Sequence, residues 1–253
     1  MSQKTLRKSS KLLALAVAML AVIVVVLVGL GRMAFSRAEA GKPGSTAQID
    51  YGMQTTRNFD LKDFRSISFV GSWKVHLDQG DAWQVELTYP KGVEEDMKVR
   101  REGDVLVLDP GSRSRHNWNW NWWGGDRNRT MTAHIVMPKL DALQITGASD
   151  MDLAGFEGDK LDITISGAGN IDGERGKYKN LNLIMSGAGN VDMRHMMFTD
   201  AQVILSGAGN VQLGMDGGVL SGNLSGFGKI EYTGQVSDNR IHISGFGKVS
   251  RKD

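Results

Sequence analysis

Ser166-Gly167-Ala168-Gly169-Asn170 recurs at Ser186 to Asn190 and at Ser206 to Asn210, and how this stretch is read decides the fold. Relatives of it flank the series: Thr146-Gly147-Ala148-Ser149-Asp150 before it, and Ser225-Gly226-Phe227-Gly228-Lys229 and Ser244-Gly245-Phe246-Gly247-Lys248 after it. The first glycines, Gly147, Gly167, Gly187, Gly207, Gly226 and Gly245, are 20, 20, 20, 19 and 19 residues apart. A fixed period in that range marks a stacked repeat.

Apolar residues precede the motif at every second position. They are Leu161, Ile163 and Ile165, then Leu181, Leu183 and Met185, then Ala201, Val203 and Leu205, with Leu220 to Leu224 and Ile241 with Ile243 in the later copies. Asp162, Thr164 and Asn182 lie between them, which is the alternation of a strand with one buried face. Met151, Ile171, Val191, Val211, Ile230 and Val249 follow the six copies. The unit reads as strand, glycine-rich corner, short strand and loop, too short to bury its own apolar face. Coiled one above another, such units share a continuous core. The expectation is an all-β, parallel β-helix or β-solenoid-like domain of about 20 residues per repeat.

Within the corners, Gly167, Gly169, Gly187, Gly189, Gly207, Gly209, Gly226, Gly228, Gly245 and Gly247 permit positive φ and close backbone approach. In register, Asn170, Asn190 and Asn210 form an amide ladder. Lys229 and Lys248 end it. Stacked like charges repel, so these ammonium groups are expected to point into water or to find a carboxylate such as Glu231. Phe227 and Phe246 replace Ala168, Ala188 and Ala208, giving the last two rungs a different corner.

The chain has 253 residues, 32 glycines, 4 prolines and no cysteine, which fits a turn-rich β protein and removes disulfides, thiolate metal sites and cysteine catalysis. Of the formal charge of +2, the first forty residues carry +5 through Lys4, Arg7, Lys8, Lys11, Arg32, Arg37 and Glu39, which leaves −3 for the remainder. An acidic body argues against nucleic acid as a partner.

Residues 1–11 form a basic N-terminus, and 12–31 is an uncharged apolar run long enough for a transmembrane helix across a hydrocarbon core of about 30 Å. The basic residues ahead of the run place the N-terminus in the cytoplasm, giving a single-pass signal anchor in the cytoplasmic membrane with the body outside. The alternative is secretion after cleavage beside Ala38-Glu39-Ala40. Signal-peptide apolar cores run about 7–15 residues, which favours the anchor. Residues 32–56, with Gly41, Pro43, Gly44 and Ser45, read as a linker, and 57–253 as the exported domain. In that domain, residues 57–138 read as strands closing one end of the repeat stack, including a hairpin of Val99 with Val105 to Leu108.

Between 111 and 130 the alternation stops. This segment holds Trp118, Trp120, Trp122 and Trp123, four of the six tryptophans, with Arg113, Arg115, Arg127 and Arg129. It reads either as a cap over the open end of the stack or as an exposed platform. In the second case the indoles stack on a glycan or sit among lipid headgroups, the arginines attract anionic groups, and an envelope protein is a further partner.

Phe64, Ile67, Gly71, Val75, Gln79-Gly80, Pro138, Leu140, Leu143 and Gly147, followed by the Ser-Gly-Ala-Gly-Asn series, resemble the family described as "putative auto-transporter adhesin, head GIN domain" over about residues 57–250. The resemblance implies a right-handed β-helix-like fold and a bacterial envelope or surface location. It brings no catalytic residues and no cofactor. An autotransporter also needs a C-terminal outer-membrane barrel, whereas here Asp253 follows directly on a repeat, so self-translocation is not expected.

Gly-Ala-Gly lacks the third glycine and following helix of a dinucleotide loop. Lysine at two of six equivalent positions would repel a calcium ion. His76, His116, His134, His195 and His242 show no ligand spacing, and no serine sits in a nucleophile elbow. The expected function is therefore a membrane-tethered, non-catalytic, adhesin-like binding module without cofactor or metal. The alternatives are a scaffold self-assembling through its sheet edges and a polysaccharide-acting β-helix enzyme.

Overall fold

The computed structural model describes residues 50–111 and 131–252. The expected membrane helix over 12–31 and the Trp-rich segment, apart from Gly111, lie outside the described residues. No helix among the described residues is long and apolar enough to cross a membrane. They form an all-β fold of twelve strands in one sheet.

The strands are β1 (Asp50–Asn58), β2 (Ser66–Gln79), β3 (Gln84–Lys91), β4 (Lys98–Glu102), β5 (Val105–Asp109), β6 (Met131–Met137), β7 (Ala142–Ala154), β8 (Glu157–Asp216), β9 (Val219–Leu224), β10 (Phe227–Gln235), β11 (Asp238–Ile243) and β12 (Phe246–Arg251). Strand structure thus begins inside the segment expected to be linker. The hairpin is present as the antiparallel pair β4 and β5.

The repeats lie in parallel register. Gly71 of β2 faces Gly147 of β7, which faces Gly167 of β8. Further along, Ala208 faces Phe227, and Phe227 faces Phe246. The expected strand–corner–strand–loop unit is more continuous than its sequence suggests. β8 runs for 60 residues through three copies of the motif, so both the glycine stretches and the intervening segments are strand. Within the motif itself, strand structure is interrupted only in the last two copies, at Ser225-Gly226 and Ser244-Gly245, where β9 parts from β10 and β11 from β12. That is where the motif exchanges alanine for phenylalanine.

A physical reason for the first glycine lies in the neighbouring rung. A Cβ on Gly147, Gly167, Gly187, Gly207, Gly226 or Gly245 would meet the carbonyl oxygen of the preceding glycine in the column, in every case closer than real side-chain carbons come. Gly189, Gly209 and Gly228 form a second column with the same restriction. Glycine is required here by backbone packed on backbone, and the corner's own φ is secondary.

Inward aliphatics share one core. Ile67, Leu143, Ile163, Leu183 and Val203 are buried, as are Phe69, Ile145, Ile165, Met185, Leu205 and Leu224. Each such side chain contributes about 1.5–3 kcal/mol when fully buried. On a further stretch of β8 the packing pairs small with large: a Cβ on Gly173 would strike Met193 and Met196. Tyr178 stacks on Phe198 at 6.3 Å and donates its hydroxyl to the Leu140 carbonyl at 2.8 Å, so burial raises its pKa without leaving the hydroxyl unpaired.

The N-terminal strands sit on one side of β2, in the order β1-β3-β6-β2. β1 pairs with β3, and β3 with β6, both antiparallel. Gly187→Ala should therefore cost about 3 kcal/mol in urea denaturation, because the methyl has no space in the column. Ala188→Ser, one residue on and exposed, should stay within about 0.5 kcal/mol.

Candidate functional site

The Trp- and Arg-rich segment has a defined root. The first half of β2 pairs in parallel with β5, from Ser66 facing Val105 to Phe69 facing Leu108. Its second half pairs in parallel with β6, from Trp73 facing Met131 to Gln79 facing Met137. β5 and β6 are therefore the two halves of one rung laid against β2. The three residues Val70, Gly71 and Ser72 correspond to everything between Leu108 and Met131. The segment is an insertion at the glycine position of that rung.

Packing fixes where it leaves the sheet. A Cβ on Gly71 would meet the ring of Pro110, and one on Gly111 would meet the Asp96 backbone. The buried Asp109 carboxylate accepts the Gly111 N–H at 2.9 Å. Trp118, Trp120, Trp122, Trp123, Arg113, Arg115, Arg127 and Arg129 themselves lie outside the described residues. The other two tryptophans are structural: Trp73 donates to the Val70 carbonyl at 2.8 Å and Trp83 to the Phe64 carbonyl at 3.0 Å.

The outward side of the repeat carries the ladder expected from the asparagines, with one rung made differently. Asn210 Nδ2 donates to Asn190 Oδ1 at 3.0 Å, side chain to side chain. Asn170 Oδ1 instead accepts the Asn190 backbone N–H at 3.1 Å, and Asn170 Nδ2 donates to Asp150 Oδ1 at 2.7 Å. The ladder thus reaches back to the aspartate copy. At its other end Lys229 Nζ meets Glu231 Oε1 at 3.0 Å, the partner read from the sequence.

The strand register also assembles a row that spacing concealed. His76 and His134, on β2 and β6, face each other, with rings edge-on at 6.3 Å between centroids. His76 Nδ1 lies 2.9 Å from Asp152 Oδ2, and His134 Nε2 lies 3.2 Å from Asp78 Oδ2. These are solvent-accessible pairs of modest energy. The His76 pair follows from the register of β2 against β7, and the placement of His134 beside it from that of β6 against β2, which the insertion hides. Among the described residues, no three histidine, aspartate or glutamate side chains are placed to hold a metal ion.

Asp152 faces Asp172 on the next rung. Partial desolvation raises the Asp172 pKa, and the carboxylates of Asp192, Glu174 and Asp152 add to the shift. Asp192 goes the other way, because it accepts hydrogen bonds from the Arg194 guanidinium. The row therefore concentrates negative charge that one arginine partly offsets.

The family model described as "Putative auto-transporter adhesin, head GIN domain" matches residues 63–194, more than half of the chain. The chain belongs to this family. Outside the matched span, the GIN-type repeat continues in register through β10 and β12. The crystal structure of a "putative adhesin" from Bacteroides fragilis NCTC 9343 is similar at a TM-score of 0.58 and 17% identity, covering 79% of this chain and 98% of its own. That of a "putative lipid binding protein" from Parabacteroides distasonis ATCC 8503 gives 0.46 and 17% identity, covering 80% and 98%. The first likeness bears on the fold alone. No curated protein matches the chain.

Because the folded Asp172 carboxyl has a raised pKa, the stability it contributes is full below its unfolded value and is lost as pH rises through the folded value. Asp172→Asn in this GIN domain should therefore raise the melting temperature at pH 7. The gain should disappear below about pH 4, where the native carboxyl is also neutral.

Proposed function

We propose that this GIN domain is a β-solenoid that works as an adhesin-like binding module of the bacterial envelope, by recognition and not by covalent chemistry. The observation that carries the reading is the rung-by-rung parallel register of β2, β7, β8, β10 and β12, with its glycine column. Stacked rungs of this kind give a stiff, extended surface on which a binding segment can be displayed. One rung, that of β5 and β6, opens at its glycine position to carry a segment of four tryptophans and four arginines.

In this reading Trp118, Trp120, Trp122 and Trp123 supply flat apolar faces, and Arg113, Arg115, Arg127 and Arg129 supply charge for a glycan, a lipid headgroup or an envelope protein. The run over 12–31 anchors the chain in the cytoplasmic membrane, N-terminus inside, and the domain stands outside it. Release after cleavage near Ala40 would leave the same domain secreted. The family's description as an adhesin supports the binding role.

A second reading, end-to-end assembly, has one observation in its favour. Among the described residues nothing pairs with the outer edge of β12, and Ile243 at the same end is 40% exposed. The basic Lys248, Arg251 and Lys252 oppose it, since two such ends would repel. Sedimentation velocity of the detergent-solubilised chain over a wide concentration range should show one monomeric species, and growth of the species with concentration would favour assembly.

Replacing Trp118, Trp120, Trp122 and Trp123 together by Ser should abolish binding of intact bacterial envelopes in a pull-down and leave the melting temperature nearly unchanged. A large drop in melting temperature would instead make the segment a cap.

A further inference from the structure

We propose that Phe227, Phe246, Lys229 and Lys248 form a second binding site, one for an anionic polysaccharide of the uronic acid class. The site rests on the reading of the chain as a binding module but shares no residue with the Trp-rich segment. Phe227 and Phe246 face each other in register on β10 and β12 with rings 5.2 Å apart and 11° from parallel. They are 65% and 79% exposed, the most exposed large apolar side chains among the described residues.

Nothing in the rung requires them. The equivalent positions of the preceding copies are Ala168, Ala188 and Ala208, so the fold manages this column with a methyl group. Two phenyl rings left in water bring little stability beyond the contact between them. Ala208, facing Phe227 on the preceding rung, is too small to cover its ring, and beyond Phe246 there is no further rung among the described residues. Both rings therefore keep an accessible face.

The flanking chemistry selects the occupant. Two residues beyond each phenylalanine, on the same side of the strand, stands a lysine, and Lys229 faces Lys248. Glu231 holds the Lys229 ammonium, while the position facing Glu231 on β12 is Ser250, so the Lys248 ammonium has no such carboxylate beside it. On the other flank are the hydroxyls of Ser225 and Ser244, with Ser225 Oγ 3.1 Å from Ser206 Oγ.

An aromatic face, a cation and a row of hydroxyls recur at the rung spacing of about 4.8 Å, which is close to the rise of one sugar ring in an extended glycan. A chain of uronic acids running along the stack seats one sugar against the Phe227 face that looks over Ala208, passes along the edges of the two stacked rings, and sets its carboxylates by the lysines. A lipid surface fits less well, because the outward neighbours of both rings are serine and lysine, which gives no continuous apolar patch to insert.

The test is isothermal titration of the full-length protein in detergent solution with a galacturonate hexamer, a neutral cellulose hexamer and phosphatidylglycerol nanodiscs. The galacturonate hexamer should bind, and more weakly as salt is added. Phe227→Ala with Phe246→Ala should weaken binding by about tenfold or more at an unchanged melting temperature, Phe246→Trp should retain it, and Lys248→Gln should weaken it and flatten the salt dependence. No binding of galacturonate by the native chain, or binding that survives loss of both rings, overturns the proposal. So does capture by nanodiscs alone, or an equal preference for the neutral glycan. The variant lacking the four tryptophans should bind galacturonate as the native chain does. If that variant alone loses it, the ligand belongs to the Trp-rich segment and this site falls while the wider binding role stands. If the phenylalanine site fails while envelope binding persists, that role also stands.

Discussion

Backbone resting directly on backbone is the constraint from which the rest of this structure follows. Along the column from Gly71 to Gly245, each glycine lies so close to the carbonyl oxygen of the one before it that no Cβ fits. A slip of one residue would put an alanine or serine against that oxygen and, with a side-chain period of two, would turn every inward aliphatic outward. The column and the hydrophobic pattern thus specify the same register by independent means. Agreement of that kind is what gives a repeated sequence one stacked state instead of several. It also accounts for the change of period from 20 to 19, since β10 and β12 keep glycine opposite glycine despite the shorter step.

Strict stacking has an electrostatic consequence. Any residue repeated on the outside meets its own copies one rung away, so charge accumulates unless the chemistry is self-complementary. Amides meet that condition, since each donates and accepts, and Asn170, Asn190 and Asn210 occupy such a column. The aspartates of the neighbouring row do not: the Asp172 pKa, raised first by partial desolvation, is pushed up further by Asp192, Glu174 and Asp152, whereas the Arg194 guanidinium relieves Asp192. Lysine enters only where the column nears its end, with Glu231 available to the first of the pair.

This logic explains which parts of the molecule could be read from residues alone. Period, alternation, core positions, the amide ladder and the Lys229 partner are local or repeated properties, so the sequence states each of them several times. What happens once was harder to see. β1 begins at Asp50 because it pairs with β3, and nothing in its polar, glycine-containing stretch announces a strand. The rung of β5 and β6 is split by the insertion, which also separates His134 from the His76 it faces. The two phenylalanines were visible as replacements for alanine, but only the unbroken register from β8 through β10 to β12 shows that they stack and stay outside.

The two ends of the stack solve one problem differently. A parallel stack ends in unpaired backbone groups that can recruit another chain. At the N-terminal end β3 runs against β6 and β1 turns again to pair antiparallel with β3, so the parallel register of the repeats ends at β6 and the edge strand belongs to an antiparallel pair. At the C-terminal end β12 keeps that register, and protection falls to its side chains. β12 is only six residues long and carries Lys248 and Arg251. Two such ends brought together would set the basic side chains of one against those of the other. The same positive charge, beside two exposed rings, is attractive to a polyanion. One set of side chains therefore discourages self-association and leaves the end free to meet a ligand of opposite charge.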